Sequence, residues 1–181
     1  DRDQVLVRFA NNSCSILVAT DVAARGLDID SLQAVINFEI SRDPEVYVHR
    51  IGRTGRAGKE GLALSLFTSE ETYKVSDIEL YQNHSVEMGD ISTLKSQANF
   101  TLTPAMTTLQ IDGGRKQKIR PGDILGALTG EAGIEGKHVG KIAIFDRWSY
   151  VAIDRAEATR ALKQLTAGKI KGRNIKVRKL R

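Results

Sequence analysis

Residues 49–58 carry the feature that most constrains this chain, a run in which arginine and glycine recur at every third position. Arginine occupies positions 50, 53 and 56, and glycine occupies positions 52, 55 and 58. A glycine inside a helix costs about 1 kcal/mol relative to alanine, so three at a fixed spacing indicate a functional requirement. Glycine lets a backbone approach a ligand closely, and a guanidinium can bond two phosphate oxygens. The run therefore predicts a site for a multiply charged anion, the alternative being a solvated, basic helix end.

Charge is distributed unevenly along the 181 residues. Residues 1–100 hold 10 lysines and arginines against 15 aspartates and glutamates, a net of −5. Residues 101–181 hold 17 against 7, a net of +10. This asymmetry predicts two modules, of which the second binds nucleic acid or another polyanion.

The composition excludes several classes of protein. A single cysteine, Cys14, rules out an internal disulfide framework and leaves too few thiolates for a structural zinc site. No stretch approaches the roughly 20 apolar residues of a membrane span, and no signal-peptide pattern opens the chain. We therefore expect a soluble, cytoplasmic monomer with no metal site and no membrane partner.

The first half of the chain alternates helical and extended patterns. An amphipathic spacing predicts a helix over residues 2–11, and a continuous apolar run predicts a strand buried on both faces over residues 16–19. Further strands are predicted over 34–38 and 62–67, and further helices over 22–25, 43–51 and 70–81. Strands alternating with helices favour a parallel α/β sheet with right-handed crossovers.

Ligands of such sheets collect outside the carboxyl ends of the strands. Thr20 and Asp21 follow one predicted strand directly, and the arginine–glycine run closes the helix of the next unit. We therefore expect both motifs at one edge of the sheet.

The two motifs together resemble a known family. Residues 19–29, Ala-Thr-Asp-Val-Ala-Ala-Arg-Gly-Leu-Asp-Ile, followed by the run at 49–58, resemble the fifth and sixth motifs of DEAD-box RNA helicases in the expected order and separation. The resemblance implies the second RecA-like domain of an ATP-dependent helicase. It implies that Thr20, Asp21 and Gly26 contact the RNA backbone and that Asp28 reaches the ATP ribose.

The same resemblance assigns roles within the arginine–glycine run. It implies that Arg53 and Arg56 face the γ-phosphate of ATP, with Arg56 as arginine finger, and that His49 and Arg50 couple the nucleotide to the RNA. A finger supplied by a second domain makes hydrolysis depend on domain closure and can raise the rate ~10³–10⁵-fold. Each side chain also has a simpler interpretation, such as a helix histidine for His49 or a turn acid for Asp28.

Two motifs of the family are missing from this sequence. No GxxxxGK[ST] phosphate loop and no Asp-Glu-Ala-Asp tetrad occurs in it. In the family these belong to the first RecA-like domain, which holds most of the contacts to ATP and Mg²⁺. The resemblance therefore implies that this chain supplies half of an ATP site, needs the first RecA-like domain as a partner, and does not hydrolyse ATP alone.

The second half of the chain has the pattern of a different fold. Strands are predicted over 108–112, 141–145, 148–153 and 174–179, and helices over 121–128 and 156–165. The order βαββαβ is that of the RNA-recognition motif (RRM). The predicted organisation is a partial RecA-like α/β domain at 1–83, a linker at 84–106 and a smaller, RRM-like α+β domain at 107–181.

Alternation along these strands sorts their side chains onto two faces. Apolar residues are expected against the helices: Leu109, Ile111, Ile142, Ile144, Val151, Ile153, Ile175 and Val177. The predicted RNA-binding residues of the module are aromatic or basic: Lys116, Lys118, Arg147, Trp148, Tyr150, Lys169, Lys171, Arg173, Lys176 and Arg178. Rings can stack on bases and cations can contact phosphates. The alternative is that the rings merely cover a half-exposed sheet and that the basic tail is a solubilising edge.

Residues 107–181 carry a second resemblance. With Asp112-Gly113-Gly114 and the stretch 119–130, they are similar to the tail of one bacterial group of DEAD-box helicases, which binds a hairpin of large-subunit ribosomal RNA. The resemblance implies ribosome assembly, with the tail holding the helicase core beside the duplex that it opens. Two other classes stay open, an RNA-binding module without enzymatic activity and a protein-interaction module of the same fold.

Overall fold

The computed structural model describes residues 2–21, 32–56, 58, 60–95, 98–130 and 133–180. The chain divides into two compact units, Gly26–Ala98 and a C-terminal unit that combines Asn99–Arg181 with Asp1–Arg25. The first predicted helix thus packs with the C-terminal unit, whereas the predicted boundaries assigned it to residues 1–83; those boundaries remain predictions. No helix in the described ranges is long and apolar enough to cross a membrane.

The chain begins with the predicted amphipathic helix, α1, at Arg2–Ala10. The strand predicted over residues 16–19 is wrong, because these residues form no regular structure and Ile16 and Val18 are exposed. An extended segment becomes a strand only when a neighbour pairs with its backbone, and this segment pairs with no strand in the described residues. The helical turn predicted over 22–25 lies outside the described residues.

The unit Gly26–Ala98 has the predicted alternation of strands and helices. Its elements are β1 at Ala34–Asn37, α2 at Pro44–Ile51, β2 at Leu62–Ser65 and α3 at Thr72–Gln82, the last preceded by a 3₁₀ turn at Ser69–Glu71. β1 and β2 are parallel, as expected, with Ala34 opposite Leu62. Asp43 caps α2 by accepting a hydrogen bond from the Glu45 amide at 2.9 Å, and Pro44 occupies the first turn.

The core of this unit is small. It consists of Ile40, Tyr47, Val75 and Ile78, joined by a few half-buried neighbours. The strands contribute little to it: Ile36 of β1 and Phe38, which directly follows β1, are 64% and 79% exposed. The two-stranded sheet therefore presents apolar side chains to solvent.

The C-terminal unit contains the predicted βαββαβ order. Its elements are β3 at Met106–Ile111, α4 at Pro121–Thr129, β4 at Val139–Ile144, β5 at Ser149–Asp154, α5 at Ala158–Ala167 and β6 at Val177–Lys179. The strands form one antiparallel sheet in the order β4-β5-β3-β6. β6 is shorter than predicted, because residues 174–176, which follow a turn closed between Ile170 and Arg173, form no regular structure.

One face of this sheet and the two helices α4 and α5 enclose a complete core. Leu109, Ile111 and Ile153 are fully buried there against Leu128 and Leu165. The strand residues predicted to face the helices all belong to this core or pack against it. This part of the sequence analysis is confirmed.

The other face of the sheet is covered by α1 and the residues that follow it. The Asn11 amide donates to the Thr108 hydroxyl at 3.2 Å, and the Ser13 hydroxyl lies 2.7 Å from the same oxygen. Gln4 of α1 donates to Gln110 Oε1 at 3.3 Å. The part of this face around Thr108 and Gln110 is therefore occupied by the chain itself, whereas Lys176 and Arg178 on the same face stay exposed.

Candidate functional site

The arginine–glycine run begins at the end of α2. The Gly52 amide donates to the Val48 carbonyl at 2.8 Å and closes the helix. The Leu32 amide then donates to the Arg53 carbonyl at 2.9 Å, and the Thr54 hydroxyl donates to the Leu32 carbonyl. On the other side Gly61 lies so close that a Cβ there would be 2.1 Å from Thr54 Oγ1. These contacts hold the backbone of the run in place.

The same contacts show on which edge of the sheet the run lies. Leu32 is two residues before β1 and Gly61 immediately precedes β2, so the run lies at the amino edge of both strands. The expectation that it lies at the carboxyl edge is wrong. A helix that connects two parallel strands runs back along the sheet, so its last residues reach the edge where the next strand begins.

Two glycines of the run adopt backbone conformations that side chains disfavour. Gly55 and Gly58 have φ of 66° and 75°, in the left-handed region where glycine carries no steric penalty. Gly52 has an ordinary φ, but a Cβ there would lie 3.0 Å from the Val48 carbonyl. The glycine requirement is thus conformational at 55 and 58 and a matter of space at 52.

The polar side chains of the run differ in exposure. His49 and Arg56 are exposed, and Arg56 Nε donates to the Gly52 carbonyl. Arg53 is half-buried. Arg50 Nη1 donates to the Glu39 carbonyl at 2.9 Å, which ties α2 to the segment that follows β1. Exposed and half-buried guanidinium groups beside a glycine backbone have the chemistry of a phosphate site.

The structure describes only part of the other predicted motif, residues 19–29. Thr20 is exposed and Asp21 is half-exposed. Gly26 and Asp28 lie outside the described residues, so the predicted contact to the ATP ribose remains a prediction.

The cations of the C-terminal unit converge at one end of its sheet. The antiparallel order brings the ends of β3 and β4 and the starts of β5 and β6 together. Backbone hydrogen bonds join the loops there, from Arg115 N to the Phe145 carbonyl at 2.8 Å and from Asp112 N to the Lys176 carbonyl at 2.9 Å. We call this surface the basic end; its exposed cations include Arg115, Lys116, Lys118, Arg147, Arg173 and Lys176.

The remaining predicted RNA-binding residues have mixed surroundings. Lys169 is exposed, whereas Lys171 donates to the Lys118 carbonyl and lies 3.7 Å from Asp123 Oδ2. Arg178 Nη2 donates to Gln110 Oε1 at 3.0 Å, beside α1. Trp148 is half-buried at the basic end.

Tyr150 is the predicted RNA-binding residue with the least accessible side chain. It is fully buried, and its ring meets that of Phe145 edge to face at a centroid distance of 5.4 Å. Burial raises the pKa of its phenol. A contact between Tyr150 and RNA requires α1 to leave the sheet, and it remains a prediction.

Sequence reasoning missed two residues at the basic end, Arg115 and Phe145. Both line a cavity between the turn that follows β3 and the β4–β5 turn. Alternation places Phe145 on the same sheet face as Trp148 and Tyr150, but it was not among the predicted RNA-binding residues. Nothing in the local pattern indicated that Arg115 would reach the β4 backbone. Among the described residues no group of three or more histidine, cysteine, aspartate or glutamate side chains could hold a metal ion.

Two family models match this chain. Residues 1–58 match the helicase conserved C-terminal domain, and residues 108–179 match the DbpA RNA binding domain. The first match contains the arginine–glycine run, and the second contains the basic end.

Individual relatives agree with both matches. The chain is 53% identical over its whole length to the ATP-dependent RNA helicase DbpA of Escherichia coli (strain K12) and covers 39% of that protein. Over 99% of its length it is 34% identical to the ATP-dependent RNA helicase DbpA of Bacillus subtilis (strain 168), and it covers 42% of that protein. Over 51% of its length it is 50% identical to the DEAD-box ATP-dependent RNA helicase CshA of Bacillus cereus (strain ATCC 10987 / NRS 248), of which it covers 18%. The chain thus spans about two-fifths of the relatives that match it throughout.

Proposed function

The chain belongs to the DbpA type of DEAD-box RNA helicases, and from this premise we propose that it is the C-terminal portion of an ATP-dependent helicase that remodels large-subunit ribosomal RNA during ribosome assembly. The RNA-binding unit would bind a structured hairpin and hold the helicase core next to its duplex. The observation that carries this proposal is the convergence of exposed cations at the basic end. A cytoplasmic monomer, acting where bacterial ribosomes assemble, fits this role.

The arginine–glycine run would supply the half of the ATP site that this chain contributes. Arg53 and Arg56 would neutralise the charge that develops on the phosphates, and His49 and Arg50 would link that site to the bound RNA. When bound, ATP would supply the γ-phosphoryl group whose transfer to water drives the cycle, with Mg²⁺ held mainly by the first RecA-like domain. The exposed Arg56 guanidinium and the left-handed glycines beside it fit a phosphate ligand.

RNA would cross from one helicase domain to the other through the motif that begins at Thr20 and Asp21. Both residues have polar side chains accessible to solvent, which suits contact with an RNA backbone. Gly26 belongs to the same proposed contact. Because RNA and ATP each favour the closed arrangement of the two domains, binding of one strengthens binding of the other.

The first experiment titrates the chain with three nucleic acids at several salt concentrations. These are a hairpin of large-subunit ribosomal RNA, a scrambled RNA of equal length, and DNA of matched sequence. The salt dependence of the affinity isolates the phosphate contacts, and the difference between the RNAs that remains at high salt measures specific recognition. We expect the ribosomal hairpin to bind most tightly at every salt concentration. Equal binding of all three would contradict the proposal.

The second experiment tests the shared ATP site. The chain alone is expected to show no RNA-stimulated ATP hydrolysis, whereas a mixture with the first RecA-like domain of the E. coli relative hydrolyses ATP when RNA is present. Association of the two proteins should require nucleotide and should weaken in Arg53→Ala. Hydrolysis by the chain alone at a rate above that of Arg56→Ala would contradict this part.

An RNA-binding module without enzymatic activity is the second candidate function. It is favoured by the C-terminal unit, whose core is complete without the unit Gly26–Ala98. This alternative predicts the same RNA titration but no nucleotide-dependent association, so the second experiment separates the two.

A further inference from the structure

A buried polar side chain ends β1. Asn37 is the last residue of this strand and is only 4% exposed, whereas the apolar side chains of Ile36 and Phe38 on either side of it are exposed. Burying an amide costs free energy unless its donor and its acceptor both find partners. An apolar side chain of the same size would stabilise the strand about as well, so the amide indicates a requirement other than stability.

Both ends of the Asn37 amide have a partner. Nδ2 donates to Ser65 Oγ at 3.0 Å, across the register pair that these two residues form between β1 and β2. Oδ1 accepts a hydrogen bond from Arg50 Nη1 at 3.4 Å. Because a guanidinium has donors only, Arg50 fixes the orientation of the amide, with its oxygen toward α2 and its nitrogen toward β2. We call Asn37, Ser65 and Arg50 the Asn37 network; it joins α2 to both strands.

The network attaches the last turn of α2 to the far end of β1. That turn lies at the amino edge of the sheet, but Arg50 Nη1 also donates to the Glu39 carbonyl at 2.9 Å, beyond the carboxyl end of β1. Side chains of a helix lean toward its N-terminus, and α2 runs back along the sheet, so Arg50 extends in this direction. The Leu32 amide, before β1, donates to the Arg53 carbonyl at 2.9 Å. The end of α2 is therefore attached to β1 at both ends of the strand.

The arginine–glycine run continues directly from this turn. Arg53 N donates to the Arg50 carbonyl at 3.2 Å, and Arg56 Nε donates to the Gly52 carbonyl. The positions of the Arg53 and Arg56 guanidinium groups thus depend on how the last turn of α2 packs on the sheet. Groups that stabilise a transition state have to be held to within about 0.5 Å by neighbours that are themselves fixed. The Asn37 network provides such a support.

We propose that Asn37 is a positioning residue of the ATP site: together with Ser65 it holds the Arg50 guanidinium on β1 and so determines where α2 presents its later arginines. The inference rests on the proposed function, because it assumes that Arg53 and Arg56 serve the γ-phosphate of ATP. Asn37 and Ser65 belong to the unit Gly26–Ala98, and they act through Arg50 and not by touching ATP or RNA.

The test measures RNA-stimulated ATP hydrolysis by the chain mixed with the first RecA-like domain of the E. coli relative. Asn37→Leu keeps the size of the side chain and removes the acceptor for Arg50. We expect the maximal rate at saturating ATP and RNA to fall about 10- to 100-fold, the range that a displacement of about 1 Å produces. The far-UV circular dichroism spectrum and the urea midpoint should stay close to those of the unmodified chain, because the amide adds little net stability. An unchanged rate would overturn the proposal.

Asn37→Asp is the conservative variant. A carboxylate at this position still accepts from Arg50 Nη1, and it can also accept from the Ser65 hydroxyl. We therefore expect hydrolysis within about threefold of that of the unmodified chain, because the charged acceptor keeps the guanidinium in place. If Asn37→Leu and Asn37→Asp lose activity alike while both remain folded, the acceptor for Arg50 is not what matters and the proposal is wrong.

A double-variant cycle tests whether Asn37 acts through Arg50. If it does, Asn37→Leu should change the rate less than about twofold once Arg50→Ala is present, because the contact is already missing. A general weakening of the unit would instead reduce the rate by the same factor in both backgrounds. Losses that multiply would therefore refute the assignment, whatever the size of each loss.

A matched pair of serines adds a second variant that leaves the buried amide in place. Ser65→Ala removes the hydroxyl that orients the Asn37 amide and should lower the rate a few-fold. Ser76→Ala removes an exposed hydroxyl from α3 of the same unit and should leave the rate unchanged. Equal rates for the two serine variants would contradict the proposed network.

Failure of the inference differs from failure of the proposed function. If the mixture hydrolyses ATP when RNA is present, but Asn37→Leu hydrolyses it equally fast or its loss multiplies with that of Arg50→Ala, the network does not position the arginines and the shared ATP site stands. If the unmodified mixture shows no RNA-stimulated hydrolysis, the proposed ATP site is wrong, and the inference is wrong with it.

Discussion

The two units of this protein bury their sheets to very different degrees. In the C-terminal unit the residues of β3 and β5 that face the helices are fully buried, including Leu109 and Ile153. In the unit Gly26–Ala98 the apolar residue Ile36 of β1 is 64% exposed, and Leu62 and Leu64 of β2 are exposed as well. The same kind of residue is thus a core residue in one sheet and a surface residue in the other.

The difference follows from how the strands are connected. An antiparallel sheet can close its core with helices on one face, whereas a parallel sheet requires cover on both. The C-terminal unit has both helices on one face and α1 on the other, so its core is complete. The unit Gly26–Ala98 has only a small core around Tyr47 and Ile78.

The largest effect is expected for Arg56, which we propose as the arginine finger of a shared ATP site. In a mixture with the first RecA-like domain, Arg56→Ala should lower RNA-stimulated ATP hydrolysis by about 10³–10⁵-fold, the range seen for arginine fingers. Steady-state phosphate release at saturating ATP and RNA measures this. Arg42→Ala, which removes an exposed arginine of the same unit, serves as the matched control and should hydrolyse normally. A comparable loss of ATP hydrolysis in both variants would mean that the net charge of the unit, and not the position of Arg56, determines the rate.

The next largest effect concerns the stability of the two sheets. Leu109→Ala leaves a cavity in the complete core and should lower the free energy of unfolding by about 2–5 kcal/mol. Ile36→Ala, a change of similar size in β1, should cost no more than about 0.5 kcal/mol because the side chain is exposed. Urea denaturation followed by far-UV circular dichroism measures the two variants on one scale. Equal costs would show that β1 is buried in solution and would remove the contrast between the units.

The salt dependence of RNA binding distinguishes the basic end from other basic surfaces. Removing one phosphate contact should reduce the slope of log K against log salt by about 0.7–0.9. We expect this reduction in Lys176→Ala and in Arg173→Ala, and no change in Lys163→Ala. A reduced slope in the last variant would place the RNA on the helical face of the unit.

The smallest effect is expected at alkaline pH, where the free energy of unfolding reports whether α1 buries Tyr150. Burial raises the pKa of Tyr150 above its ordinary value of 10.0, so the unfolded protein loses this proton first as the pH rises. The stabilisation is complete below about pH 10 and declines above it. Tyr150→Phe should flatten this decline in urea denaturations at pH 9 to 11. An unchanged pH profile in the variant would indicate that α1 does not bury this side chain in solution.

Much of the architecture was predictable because local sequence patterns specify it. Apolar residues at alternating positions predicted the core face of the C-terminal sheet, and all of them lie in or against the core. Asp43 and Pro44 marked the start of α2, and the spacing of glycines marked the run whose backbone needs them at 55 and 58. The same patterns wrongly predicted a strand over residues 16–19, because an apolar segment forms a strand only when a neighbouring strand pairs with it, and the local sequence does not specify that neighbour.

By itself, the sequence determined that there are two modules, most of their helices and strands, and the arginines, glycines and basic residues that define their chemistry. Only the tertiary structure decided which of these residues are accessible. Tyr150 and Trp148 are two positions apart, yet one lies under α1 and the other lines a cavity. The arginine–glycine run lies at the amino edge because its helix returns along the sheet, and the cations form one surface because antiparallel strands bring distant loops together. Composition and spacing are local properties, whereas exposure depends on which distant segments pack together.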